Sequence, residues 1–250
     1  MKLKTCLVVA MSLLCINAAF AADKPLRLIL VGDSTMATHN GYGDALCDRL
    51  KPEVACINLA RNGRSSGSFR AELRWDTVLK LLREGQGSRA TLVLIQFGHN
   101  DQPGKPGRST DLATEYPANL KRYVEEARAL GGLPVLVTPL TRRTFKDGKL
   151  DNDLAPWAEA VRRVAADTRT PLLDLNAKSY AAVQAMGQDE ADTLAVVPKP
   201  SAETVKAMAA AGTKSQFDRT HLGPKGATLF SAIVKEELLR LMPELKQAFR

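Results

Sequence analysis

Residues 26–36 read Leu-Arg-Leu-Ile-Leu-Val-Gly-Asp-Ser-Thr-Met, an apolar run that ends in a Gly-Asp-Ser turn. Five of the six residues in 26–31 are apolar, without polar alternation. That is the pattern of a parallel strand covered on both faces. Gly32 permits a tight turn from which Ser34 projects at the strand's carboxyl end. In open α/β sheets that edge is where ligands bind. Ser34 is the candidate nucleophile, and the rest of the chain is read for its partners.

Downstream, four more apolar segments carry strand character: 54–59, 91–97, 134–139 and 171–175. Helical patterns lie between them over 42–50, 71–84, 112–130 and 153–168, and a last amphipathic helix is expected over 224–241. Strands alternating with helices predict a parallel sheet with helices on both faces, the α/β class. Segment 191–216 is the least regular, with a short helix expected near 202–211, and the loop 141–152 carries Arg142, Arg143, Lys146 and Lys149.

Upstream, Lys2 and Lys4 precede an apolar run over 6–16, and Ala19-Phe20-Ala21 supplies small residues for cleavage. Residues 1–21 are read as a secretory signal peptide, too short in its apolar part to span a bilayer. Residues 22–250 then form a single domain, exported to the periplasm or beyond and free of the membrane. The leader holds two lysines and no acid, so removing it takes the formal charge from +8 to +6. An exported basic protein suits a polyanionic partner, and no nucleic-acid motif is present. Cys47 and Cys56 are the cysteines of the mature part, and an oxidising compartment invites a disulfide between them. No CxxC or HExxH spacing points to a metal.

Four blocks carry chemistry, each at a strand end or on a loop. Gly32-Asp33-Ser34 supplies a hydroxyl, with Asp33 expected to brace the turn. Asn62-Gly63-Arg64-Ser65 follows the second strand, where a glycine brings its N–H close to a ligand. Phe97-Gly98-His99-Asn100-Asp101 follows the third and offers the Asn100 amide. Asp218-Arg219-Thr220-His221 places an acid and an imidazole three residues apart, so that the carboxylate can fix the tautomer needed for proton abstraction. A parallel sheet gathers these blocks along one edge.

With GDSTMA at 32–37, NGRSS at 62–66, RWD at 74–76, QFGHND at 96–101 and DRTHLGPKGA at 218–227, the chain resembles the SGNH (GDSL-like) hydrolases. Within that superfamily it is most similar to the rhamnogalacturonan acetylesterases and their bacterial relatives. The resemblance implies a flavodoxin-like three-layer sandwich with five parallel strands and no metal or cofactor. It also implies Ser34 as nucleophile, His221 as base and then acid, and Asp218 as the orienting carboxylate. The N–H groups of Ser34 and Gly63 and the Asn100 side chain would form the oxyanion hole.

The blocks point to a serine esterase, expected to be a monomer, and the resemblance implies its substrate: an acetylated cell-wall polysaccharide, with acidic rhamnogalacturonan or pectin favoured. His99, Arg142 and Arg143 are the candidate substrate contacts. Three rivals remain at this stage. Gly63-Arg-Ser65-Ser-Gly67 also fits a nucleophile elbow, with Asp174 and His221 completing the order Ser-Asp-His. The same triad could serve a lipase or thioesterase, or the scaffold could bind carbohydrate without catalysis. Trp75 and Trp157 are expected in the core, and His39 in an exposed turn.

Overall fold

In the computed structural model, which describes residues 26–88, 90–211 and 217–250, five strands make one parallel sheet. They are β1 (Leu26–Gly32), β2 (Ala55–Asn58), β3 (Ala90–Gln96), β4 (Leu133–Val137) and β7 (Leu172–Leu173), in the order β2-β1-β3-β4-β7. The leader expected over 1–21 lies outside the described residues. Between β4 and β7, the basic loop folds into an antiparallel hairpin, β5 (Phe145–Lys146) with β6 (Lys149–Leu150).

Period-two alternation inside the apolar strands decides which helices cover which face. Leu28, Leu30, Leu92, Leu94, Val135 and Val137 point to one side. There they pack with residues of α1 (Gly43–Cys47), α6 (Leu175–Asp192) and α8 (Pro224–Leu241). Ile29, Val31, Val93, Ile95 and Leu136 point to the other. They meet α2 (Ser66–Ala71), α3 (Arg74–Glu84), α4 (Glu115–Ala129) and α5 (Ala155–Asp167), which bring Phe69, Trp75, Tyr123 and Trp157 into that core. Both tryptophans are buried, as their helical positions predicted.

Several boundaries differ from the sequence reading. The helix expected over 42–50 stops at Cys47, because Leu50 instead bridges to Phe249 and Arg49 O accepts from Arg250 N–H. The helix expected over 71–84 begins earlier and breaks at Glu72–Leu73, where Leu73 takes a left-handed φ of 56°. α6 had no counterpart in that reading. It is capped by Asp174 and buries mostly small or polar residues, Asn176, Ser179 and Ala191 among them, so its apolar periodicity is faint. The short helix near 202–211 is present as α7 (Ala202–Ala210). A disulfide joins Cys47 at the end of α1 to Cys56 in β2. Among the described residues no helix is long and apolar enough to cross a membrane.

The ends of β1, β2 and β3 open onto one edge, with β1 in the middle. The chain leaves β1 for β2 on one side and reaches β3 on the other. The crevice that follows from this reversal is where the candidate residues lie.

Candidate active site

Ser34 sits two residues beyond the end of β1, in a turn closed by Met36 N–H and Ala37 N–H, both donating to Asp33 O. Gly32 matters here through close approach: a Cβ at this position would lie 2.7 Å from Gln96 O of the neighbouring strand. Asp33 points inward, and its Oδ1 accepts from Thr35 N–H (2.9 Å) and Thr35 Oγ1 (2.8 Å). Behind it, Tyr42 donates to Gln96 Oε1 and Gln96 Nε2 donates to Thr35 Oγ1, both at 2.7 Å. This buried chain of hydrogen bonds braces the turn that carries Ser34.

Two residues short of α8, the loop 218–221 returns beside this turn. His221 Nε2 lies 2.7 Å from Ser34 Oγ, and His221 Nδ1 lies 2.7 Å from Asp218 Oδ2. Thr220 N–H and His221 N–H both donate to Asp218 Oδ1, at 2.8 and 3.0 Å. Burial works against the charge on Asp218, but these N–H donors and the His221 ring outweigh it and hold the carboxyl below its ordinary range. The acid therefore stays ionised at neutral pH and fixes Nδ1 as the protonated nitrogen, leaving Nε2 to accept from the serine.

Three groups are the candidate oxyanion donors: Ser34 N–H, Gly63 N–H and the Asn100 side-chain amide. Among the described residues, neither Ser34 N–H nor Gly63 N–H donates a hydrogen bond. Gly63 has φ of 76°, a left-handed value that favours glycine, and the loop carrying it is tied to β1 by Arg61 N–H donating to Gly32 O at 2.9 Å. Asn100 uses one amide N–H on Arg64 O at 3.1 Å, which joins the loop after β3 to the loop after β2 and leaves its second N–H. The arrangement has the parts for acyl transfer: a hydroxyl, a base, an acid that orients the base, and donors for an oxyanion.

The alternative elbow is not assembled. Ser65 is fully buried as the N-cap of α2, accepting from Ser68 N–H at 3.1 Å and accepting no contact from His221. Asp174 caps α6 and pairs with Arg162 at 2.9 Å. His39 is exposed, as expected.

Two of the proposed substrate contacts need correction. His99 is 2 % exposed and stands 3.3 Å from Asp33 Oδ2, under the serine turn and away from solvent. Arg143 is fully buried, with its guanidinium turned onto the backbone of the 218–221 loop. Only Arg142 of the three reaches the rim, where it pairs with Asp153 and donates to Thr220 Oγ1. Sequence reading placed no function on Lys105 or Arg108, which the fold brings to the same mouth. Arg108 Nη1 would lie 3.3 Å from a Cβ on Gly63. Burial, followed by the charges of Arg142 and Arg108, pulls Lys105 below its ordinary value. No local motif marks these two residues, which lie in an unremarkable Gly-Lys-Pro-Gly-Arg loop.

With this geometry, a model of the GDSL-like lipase/acylhydrolase family matches residues 30–229. The chain belongs to the GDSL-like lipase/acylhydrolase family. It is a carboxylic ester hydrolase of the SGNH type. Two proteins of Bacillus subtilis are each 30% identical to it. "Probable rhamnogalacturonan acetylesterase YesY" matches over 86% of this chain and 93% of its own length. Rhamnogalacturonan acetylesterase RhgT matches over 89% of this chain and 94% of its own length. Among solved structures, a catalytic mutant of Axe2, an acetylxylan esterase from Geobacillus stearothermophilus, superposes with a TM-score of 0.55 at 20% identity. It covers 88% of this chain and 94% of that one, and supports the shared fold.

Proposed function

We propose that this chain is an exported serine esterase that removes acetyl groups from a cell-wall polysaccharide, with acetylated rhamnogalacturonan favoured. The observation that carries the reading is the continuous hydrogen-bonded path from Ser34 Oγ through His221 to Asp218 at the mouth of the sheet. His221 Nε2 takes the Ser34 proton as Oγ attacks the acetyl carbonyl. The oxyanion accepts from Ser34 N–H, Gly63 N–H and the free Asn100 N–H. As the ester bond breaks, His221 passes the proton to the sugar oxygen, which leaves as a hydroxyl. Water then attacks acetyl-Ser34 while His221 takes its proton, and acetate departs as Ser34 recovers its hydrogen.

A carbohydrate rather than a lipid substrate is supported by the rim. The groove beside His221 has a volume of about 460 Å³ and is lined by Thr144, Phe217, Asp218, Arg219 and Thr220, a mainly polar set. Lys105, Arg108 and Arg142 supply the positive charge that an acidic glycan needs, in place of the buried Arg143. The names of the two Bacillus relatives support rhamnogalacturonan over other acetylated polymers. Export is supported by the charged and apolar pattern of 1–21 and by the Cys47–Cys56 disulfide.

The test is acetate release from acetylated rhamnogalacturonan, beside hydrolysis of p-nitrophenyl acetate and a long-chain p-nitrophenyl ester. Ser34→Ala is expected to lower kcat by at least about 10³-fold on the acetyl substrates, whereas folded Ser65→Ala retains activity. Preference for the long-chain ester would leave the triad in place and overturn the substrate. Activity surviving in Ser34→Ala would overturn the site.

A further inference from the structure

Arg143 is the one buried arginine or lysine among the described residues. It makes no ion pair with a described carboxylate, a costly state for a cation out of water. What it has instead is a run of main-chain oxygens. Arg143 Nη2 donates to Asp218 O at 3.1 Å and to His221 O at 2.8 Å, and Nη1 donates to Thr220 O at 3.3 Å. The remaining carbonyl, Arg219 O, accepts from Arg143's own N–H at 3.0 Å. One residue thus donates to all four consecutive carbonyls of the loop that carries the acid and the base.

That grip has a consequence on the loop's other side. Carbonyls held inward leave the Thr220 and His221 N–H groups facing Asp218 Oδ1. The carboxylate is then oriented with Oδ2 on the imidazole. The loop lies between a guanidinium that donates to three of its carbonyls and a carboxylate that accepts from two of its N–H groups. Arg143 is itself held, since Gln188 Nε2 of α6 donates to its carbonyl at 3.1 Å while Gln188 Oε1 accepts from Phe145 N–H at 3.2 Å. Burial pulls the guanidinium down to about 10, opposed by Asp218 and Asp192, so it keeps its charge at neutral pH.

We propose that Arg143 is a positioning residue for the esterase reaction: its buried guanidinium, bonded to the carbonyls of Asp218, Thr220 and His221, sets the Asp218–His221 pair in register with Ser34. The proposal rests on the serine-esterase reading. It assigns Arg143 no contact with substrate.

Arg143→Met fills the space without donors. It is expected to lower kcat for p-nitrophenyl acetate by about 10²-fold, the cost of a small misplacement of reacting groups, with KM unchanged. Arg143→Lys keeps the charge but cannot span carbonyls on both sides, and its kcat is expected between the two. In wild type, the His221 Nδ1 proton should give a downfield proton NMR resonance that shifts or broadens in both variants. In Arg143→Ala, millimolar guanidinium should restore part of kcat and of that resonance at a temperature where the variant is already folded. Folded Met and Lys variants with wild-type kcat would overturn the proposal, as would a kcat loss with the resonance unmoved and no rescue. Failure of both variants to fold would assign Arg143 to stability alone and overturn it too. Ser34→Ala in the same assay separates the two claims. If it stays active, the esterase site is wrong; if it is inactive while Arg143→Met is not, only the positioning role falls.

Discussion

Asp101 is a carboxylate sealed between the two loops that carry Gly63 and Asn100, the proposed oxyanion donors. It is fully buried, and its Oδ1 accepts from Ser66 N–H (3.0 Å), Ser66 Oγ (2.6 Å) and Thr110 Oγ1 (2.9 Å). These bonds fasten the start of α2, just beyond Gly63, to the residue after Asn100. Burial raises its pKa to about 6, against the pull of Ser66 and Thr110 and with help from the Asp33 charge. A raised acid is more at home protonated in the fold than in the unfolded chain. Its contribution is fully present below the unfolded pKa of 3.8 and is lost as pH rises through about 6. Wild type should therefore lose about 2 kcal/mol of stability between pH 4.5 and 7 that Asp101→Asn, unable to ionise, does not lose. Denaturant titrations at the two pH values check this, and parallel curves for both proteins would refute it. The neighbouring Asp33 behaves in the opposite sense. Burial opposes its charge, but His99 and the Thr35 bonds hold its carboxyl below the ordinary range.

The elements differ in how they are held. α1 has five residues and no side-chain cap, too short to persist on its own. Its end is tied to β2 by a disulfide between residues 9 positions apart. Closing a loop of that size restricts the unfolded chain by on the order of 2–3 kcal/mol. Reduction, or Cys47→Ser with Cys56→Ser, should lower Tm by roughly 5–10 °C. Identical melting under oxidising and reducing conditions would show that the bond contributes nothing. The long strands and α8 were legible because their apolar patterns are strong and local; α8 runs Pro224–Leu241, the span read from sequence. The break between α2 and α3 was not, because Leu73 is an ordinary helix former forced into a left-handed turn. Glu72, bonded to both Arg64 and Arg74, anchors that turn from outside the helix.

Across the molecule, the formal charge of +8 matters mainly where it is concentrated beside the site. A cationic mouth of Lys105, Arg108 and Arg142 should attract an acidic chain through long-range fields that salt screens within about 10 Å at 0.1 M. KM for acetylated acidic glycan should therefore rise several-fold from low to 0.5 M salt, while kinetics on neutral p-nitrophenyl acetate stay flat. Lys105→Gln should reduce that salt dependence with kcat unchanged. Equal salt responses on both substrates would remove electrostatics from recognition. The order of chemistry along this chain was written in its sequence: a hydroxyl after the first strand, donors after the second and third, an acid and a base three apart near the end. Apolar periodicity and turn-forming triplets act over a few residues, so they can be read in a line. Which cations meet solvent and which do not was decided only by packing. Arg142 and Arg143 are adjacent in sequence, yet one lies on the rim and the other is buried against carbonyls 75 to 78 positions away. Lys105 and Arg108 came to the mouth in the same way. Burial and partner choice depend on what the distant chain places nearby, and no local pattern encodes that.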